Sequence, residues 1–164
     1  MSLRSDLEKL ADKHWQNNYV KIKPLLTMSD VIYAGCDCQL NDDQKDFVNP
    51  FWFSIGRAYL FREDNYPCII YNEYNRPVGF IIFSKWTAIG DAYSWSYFID
   101  KDQQGKGYGK RAAQLAIHVL KTANPNMCIK LATEKINIKA QQLYKSLGFE
   151  QLPEMDGDDL VFAM

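Results

Sequence analysis

The feature that most constrains this sequence is a group of three glycines at alternate positions, Gly105, Gly107 and Gly109. The residues before them, 92–99, are rich in aromatic and β-branched side chains, which predicts a strand. The residues after them, 110–123, carry apolar side chains at helical spacing, which predicts an amphipathic helix. The chain therefore passes from a strand through a glycine-rich loop directly into a helix.

The loop at 104–109 has the chemistry of an anion-binding site. Glycine adopts positive φ angles and leaves the backbone amides uncovered. The first turn of a helix adds N–H groups without intrahelical acceptors and a partial positive charge. Together they predict a site for phosphate or diphosphate, with Lys106 and Lys110 adding charge. The structural alternative is a tight turn without a ligand, but three glycines in five residues exceed what a turn needs.

Two common phosphate-binding motifs are excluded by spacing. A Walker A loop has a hydroxyl residue after its lysine, and here Arg111 follows Lys110. The dinucleotide fingerprint is G-x-G-x-x-G, whereas the order here is G-x-G-x-G.

Length and charge define the broad class. The chain has 164 residues, which fits one domain, and we predict a single domain over 1–164 with 1–17 as an N-terminal helical extension. A net charge of -1 gives no reason to expect nucleic acid or an anionic membrane as partner. No apolar run approaches the ~20 residues of a membrane span, and the first residues lack the apolar stretch of a signal peptide.

The cysteines predict no metal site. Of the four, only Cys36 and Cys38 are close, and a structural zinc site usually needs two such pairs. Reduced thiols are typical of the cytosol, so we expect a cytoplasmic protein.

The order of periodic segments predicts an α/β (α+β) fold. A strand, a helix and a second strand in the middle form a βαβ unit, so part of the sheet should be parallel. The predicted helices are 5–15, one capped by Thr27, one capped by Asn41 or Asp42, one after a break at Pro50, 110–123 and 138–147. The predicted strands are 19–22, 68–71, 78–84, 92–99, 127–133, 149–152 and 160–164.

Two motifs resemble one known family. Gln104-x-x-Gly107-x-Gly109 is similar to the Q/R-x-x-G-x-G/A signature of the GNAT superfamily of N-acetyltransferases. Residues 137–149 resemble that family's N-x-x-A-x-x-L-Y-x-x-x-G-F segment, except that Ile136 stands where many members carry Glu. The two motifs occur in the family's order and at about its spacing.

This resemblance implies a fold, a cosubstrate and a set of contacts. The GNAT fold has a mixed central sheet of about six to seven strands with a central parallel splay, flanked by about four to five helices. The cosubstrate is acetyl-CoA, without a metal, and the backbone N–H groups of Phe98 and Ile99 should lie near its thioester. The resemblance places its diphosphate on the loop amides and gives these cofactor-binding residues: Phe98, Ile99, Gln104, Gly105, Lys106, Gly107, Tyr108, Gly109, Lys110 and Asn137.

Tyr144 is the candidate catalytic acid. The motif implies that its phenol protonates the departing thiolate, and the structural alternative is an aromatic ring in the core. The general base that takes the proton from the amine is not assigned, and four residues could reach the site: Glu73, Asp91, Tyr93 and Ser94.

The acceptor is the least determined part. The loop is also similar to that of bacterial spermine/spermidine (diamine) acetyltransferases, although Trp95 and Ser96 stand where those often carry Asp-Arg. We expect the acceptor to be a primary amine, either a polyamine or another small metabolite amine, with an aminoglycoside or a protein N-terminus as alternatives. The aromatic segment 47–59 should help to form its pocket. A non-catalytic acetyl-CoA-binding module is the alternative class, and a homodimer is open because many family members are dimers.

Overall fold

The structure is a computed structural model that describes residues 2–87 and 90–164. Seven strands and five α-helices occur in these residues. The strands are β1 Val20–Pro24, β2 Asn65–Asn72, β3 Pro77–Trp86, β4 Ala92–Ile99, β5 Lys130–Thr133, β6 Glu150–Asp156 and β7 Asp159–Ala163. The helices are α1 Leu3–Leu7, α2 Met28–Ile32, α3 Phe51–Leu60, α4 Tyr108–Ala123 and α5 Ile138–Ser146.

The sheet has two antiparallel halves that meet at β4 and β5. One half has the order β1-β2-β3-β4 and the other β5-β7-β6. The halves are joined by a parallel bridge between Tyr93 and Ile129, where the Tyr93 N–H donates to the Cys128 carbonyl at 2.8 Å. The predicted βαβ unit is therefore β4-α4-β5, and the mixed sheet and α+β class are confirmed.

Helices cover both faces of the first half-sheet. On one face α4 and α1 enclose the larger core, in which Phe83, Tyr93 and Ala116 are at most 1% exposed. On the other face a smaller core forms around Phe80 and Ile82, packed against α3. Side chains alternate along a strand, so β3 contributes to both cores.

The N-terminal segment differs from the predicted helix 5–15. Helix α1 begins earlier, because the Ser2 hydroxyl accepts from the Ser5 N–H at 3.1 Å as an N-cap, and it ends at Leu7. A 3₁₀ helix follows at Asp12–Trp15. Leu7 is fully buried, and the Tyr93 hydroxyl donates to the buried carboxylate of Asp6. The segment thus contributes to the larger core.

Other boundaries follow local chemistry. Thr27 and Asp30 form a capping box at the start of α2, which confirms the predicted cap. Pro50 directly precedes α3, as expected of a residue that cannot donate within a helix. Asn41 precedes a 3₁₀ helix at Asp42–Phe47, and its side chain makes no capping hydrogen bond. Strand β6 extends beyond the predicted 149–152, because Met155 and Asp156 pair with β7 again after a shift in the register.

We expect Leu7→Ala to lower the free energy of unfolding by about 2–5 kcal/mol, since it opens a cavity in the larger core. Leu26→Ala is the matched control, because Leu26 is 81% exposed, and it should change stability by less than about 0.5 kcal/mol. Urea unfolding measures both. Equal, small effects would mean that α1 is not part of the cooperative core.

Candidate active site

A cleft of about 1320 Å³ opens where β4 and β5 separate. Beyond the bridge at Tyr93, the described residues of the two strands form no further pairs. The space between them is continuous with the glycine loop at one end and with the segment before α3 at the other. The lining includes residues 94–99 of β4, Ala132 and Thr133 of β5, most of 104–109, and 136–140 at the start of α5.

The glycine loop adopts the backbone that only glycine tolerates well. Gly105 has φ +75° and Gly107 has φ +83°, which confirms the interpretation of these two glycines. Gly109 lies inside α4, where a Cβ would come within 3.5 Å of the Tyr97 hydroxyl. This is an ordinary contact distance, so at the third position neither the backbone conformation nor the space requires glycine.

The loop leaves a series of main-chain N–H groups without protein acceptors. Gly107 is the N-cap of α4, and the first N–H bonded back into the helix is that of Arg111, to the Gly107 carbonyl at 3.2 Å. Within residues 2–87 and 90–164, no group accepts a hydrogen bond from the N–H groups of 105–110. These donors and the helix dipole make this end of the cleft suited to an anion.

The side chains of the loop point to other partners. The Lys106 ammonium donates to the Asp102 carbonyl and the Gln103 side chain, both at 3.1 Å. Tyr108 borders the cleft, but its hydroxyl donates to the Glu73 carboxylate at 3.2 Å. Lys110 is exposed and, like Lys106, does not line the cleft. The backbone is thus the main source of positive potential there.

Gln104 connects the loop to the opposite side of the cleft. Its amide nitrogen donates to the Ile99 carbonyl at 2.9 Å and to the Gln44 side chain at 2.7 Å. The Gln44 amide returns a hydrogen bond at 3.1 Å, and the Asn41 amide donates to the same Gln104 oxygen at 3.1 Å. The 3₁₀ segment before α3 is therefore held against the loop, a contact that sequence analysis missed because Gln44 lies in an unremarkable polar run.

The direction of the β4 amides assigns the donors in the gap. The Tyr93 N–H points to β5, whereas the Asp100 N–H bonds Val78 at the edge of β3 at 2.9 Å. Amide directions alternate along an antiparallel strand, and the β3–β4 register runs without a shift. The N–H groups of Tyr97 and Ile99 therefore face the gap. The N–H of Phe98 faces β3, which differs from the expectation that both Phe98 and Ile99 present amides there.

Two phenols border the middle of the cleft. Tyr144 packs edge-on against Phe162, with ring centroids 5.6 Å apart, and burial raises the pKa of its hydroxyl to about 12. Burial, with a smaller contribution from Tyr144, raises the pKa of Tyr97 above its usual value. The Tyr97 hydroxyl donates to the Gly109 carbonyl at 3.2 Å. Tyr144 is thus both a packed ring and a protonated phenol at the cleft.

Asn137 is first of all a helix cap. Its side chain accepts from the Ala140 N–H at 3.2 Å, and its own N–H donates to the Glu134 carbonyl at 3.0 Å. It lines the cleft at the start of α5, so its amide group borders the same space as the loop.

The four candidate bases are distributed over the molecule. Ser94 lines the cleft. Asp91 is paired with Lys85 at 3.1 Å, Glu73 accepts from Tyr108, and Tyr93 is buried against α1. Ser94 is therefore the one of these four residues that lines the same cleft as Tyr144.

Sequence analysis also missed Arg57, which lines the end of the cleft beside β3. Its guanidinium donates to the side chains of Asn65 and Ser84. Its signal in the sequence was a single basic residue inside the aromatic segment of α3, which helical spacing alone does not distinguish from a surface residue.

The described residues hold neither a metal-binding cluster nor a membrane-spanning helix. They contain no group of three or more His, Cys, Asp or Glu side chains placed to hold a metal ion. Nor does any helix among them have the length and apolar character needed to cross a membrane.

Comparison with known families agrees with this geometry. The model of the acetyltransferase (GNAT) family matches residues 35–149, which includes the glycine loop, the cleft and α5. The chain belongs to the GNAT family. Among curated protein sequences, none matches this GNAT chain at a significant level.

Solved structures show the same fold at low sequence identity. Spermidine N-acetyltransferase from Vibrio cholerae, in complex with CoA and spermine, has a TM-score of 0.66 and 16% identity, covering 90% of this chain and 95% of that one. Aminoglycoside acetyltransferase AAC(6')-Ib in complex with coenzyme A has 0.66 and 17%, covering 88% and 92%. Mycobacterium smegmatis RimJ with CoA-disulfide has 0.68 and 18%, covering 88% and 81%.

The raised pKa of Tyr144 predicts a pH dependence of stability. The folded state favours the neutral phenol, so its contribution is complete below about pH 10 and is lost as pH rises towards about 12. The free energy of unfolding of Tyr144→Phe should therefore fall less steeply over this range than that of the native chain. The difference in slope approaches about 1.4 kcal/mol per pH unit. Parallel curves in urea unfolding would contradict the burial of this hydroxyl.

Proposed function

We propose that this protein is an acetyl-CoA-dependent N-acetyltransferase that transfers an acetyl group to a primary amine by direct attack in a ternary complex. The observation that carries the proposal is the cleft between β4 and β5. Its loop end presents uncovered N–H groups at a helix start, and its middle presents the strand amides of Tyr97 and Ile99. This arrangement suits a long ligand with a diphosphate at one end and a carbonyl further in.

The cleft fits acetyl-CoA in chemistry. The amides of 105–110 would bind the diphosphate, and the amide side chain of Asn137 would contact the arm beside α5. Lys106 and Lys110, exposed at the mouth of the loop, would meet the outer phosphate groups. Acetyl-CoA supplies the activated thioester carbonyl.

The rate enhancement would come mainly from positioning the two substrates. The N–H groups of Tyr97 and Ile99 would bind the carbonyl oxygen and stabilise the charge that develops on it. The amine nitrogen forms a bond to the carbonyl carbon, and the carbon–sulfur bond breaks. Tyr144 donates its proton to the thiolate, which leaves as the free thiol. The proton released by the amine passes to solvent through the Ser94 hydroxyl, and a proton from solvent restores the Tyr144 phenol.

The acceptor enters from the α3 side. Gln44 holds the 3₁₀ segment Asp42–Phe47 against Gln104, so the loop that would bind the diphosphate also fixes one wall of the acceptor end. A polyamine, an aminoglycoside and a protein N-terminus are the acceptor classes that the family resemblance offers, and the solved relatives include enzymes named for the first two.

Gly107→Val should weaken acetyl-CoA binding at least tenfold, because a side chain at this positive φ covers the loop amides. Gly157→Val is the matched control: Gly157 also has a positive φ, and a Cβ there meets nothing within 4 Å. It should retain the native affinity despite a similar backbone strain. Calorimetry measures both. Equal affinities in the two variants would refute the loop assignment.

Tyr144→Phe should lower kcat by about 10²-fold, as expected when a positioned acid is lost, with little change in acetyl-CoA affinity. Thiol release in the presence of an amine panel measures turnover. Full activity of Tyr144→Phe would leave this residue a packing role only. Acetyl-CoA binding without thiol release from any amine would instead favour a non-catalytic binding module.

A further inference from the structure

Arg57 is held in place at the acceptor end of the cleft by neutral partners. Its Nε donates to the Asn65 side-chain oxygen at 3.0 Å, and one terminal nitrogen donates to the Ser84 hydroxyl. Ser84 in turn donates to the same Asn65 oxygen at 3.1 Å. Asn65 is 4% exposed and Ser84 9% exposed, so the guanidinium is fixed by buried groups.

Arg57 forms no ion pair within the described part of the chain. No carboxylate there lies within the 4.0 Å that defines an ion pair with its guanidinium. Burial lowers the pKa of Arg57, but a guanidinium stays charged in proteins. Its two bonds use two of the five N–H donors of arginine. A partly buried charge with free donors is costly unless an anion completes it, and a planar fork suits a carboxylate.

The position of Arg57 sets the distance to the reacting group. Ser84 lies directly opposite Ser94 in the β3–β4 register. Ser94 precedes Tyr97 by three residues, which is about 10 Å along a strand. An acceptor that reaches from Arg57 to a carbonyl bound at the Tyr97 and Ile99 amides must therefore have several bonds between its anionic group and its amine.

We propose that the acceptor is a primary amine that carries a carboxylate several bonds from its nitrogen, and that Arg57 binds this carboxylate. This substrate class rests on the proposed acetyl transfer. It also disfavours diamines and polyamines, whose second ammonium would face the Arg57 guanidinium at the same distance. Several carboxylates line the same cleft and attract the ammonium end of the acceptor: those of Asp43, Asp46, Asp64, Asp156 and Asp159.

Three amines with six carbons each test the proposal: 6-aminohexanoate, hexylamine and 1,6-diaminohexane. With acetyl-CoA, the native protein should show a kcat/KM for 6-aminohexanoate roughly ten- to a hundredfold above the other two, which is the range for a hydrogen-bonded charge. In Arg57→Gln this ratio should fall to about one. Arg62→Gln is the matched control, because Arg62 is exposed and does not line the cleft, and it should keep the native ratio.

The outcomes separate this inference from acetyl transfer itself. Equal use of the three amines by the native protein, or an unchanged ratio in Arg57→Gln, would overturn the carboxylate site and leave the transferase intact. Thiol release with none of them would contradict the proposed activity. In that case, calorimetry of 6-aminohexanoate binding to the CoA-loaded protein tests the carboxylate site at Arg57 by itself. Binding that Arg57→Gln abolishes supports it, and absent or unchanged binding overturns it. Arg57→Lys, which keeps the charge but loses the fork, serves if Arg57→Gln does not fold and should retain only part of the preference.

Discussion

The separation of β4 from β5 is the constraint on which the site depends. The two strands are parallel neighbours, yet the described residues pair only at Tyr93 and Ile129. Past that bridge each strand has another partner on its far side, β3 for β4 and β7 for β5, so the sheet stays intact while the gap opens. Unpaired strand amides are costly when buried. Here they border a cleft of about 1320 Å³, where a ligand can complete them.

The two ends of this cleft differ in whether main-chain or side-chain groups line them. At the start of α4 the backbone supplies the donors, because Gly105 and Gly107 adopt positive φ and Lys106 bonds Asp102 and Gln103. At the far end, side chains line the cleft, among them Arg57 of α3. The reciprocal bonds between Gln104 and Gln44 connect the two ends. A ligand that orders the loop would thereby also order a wall of the acceptor site.

Local sequence information predicted the elements whose signal is local. Strand β4, helix α4 and the positive φ of Gly105 and Gly107 follow from periodicity and from the properties of glycine, and all three are confirmed. The binding roles of these residues stay predictions. The failures at the site concern long-range geometry. The predicted direction of the Phe98 N–H was wrong, because that direction depends on the pairing of β4 with β3. Arg57 was missed because its hydrogen-bond partners, Asn65 and Ser84, are 8 and 27 residues away in the sequence.

The proposed function depends on the main-chain N–H groups of 105–110, which would bind the diphosphate of coenzyme A. The most direct measurement is a titration of the ¹⁵N-labelled protein with coenzyme A, followed through the amide resonances of its nine glycines. We expect large shifts for Gly105, Gly107 and Gly109, and small ones for Gly157 in the β6–β7 turn. Saturable binding that leaves the three loop glycines unshifted, or that shifts a different part of the chain, would contradict it.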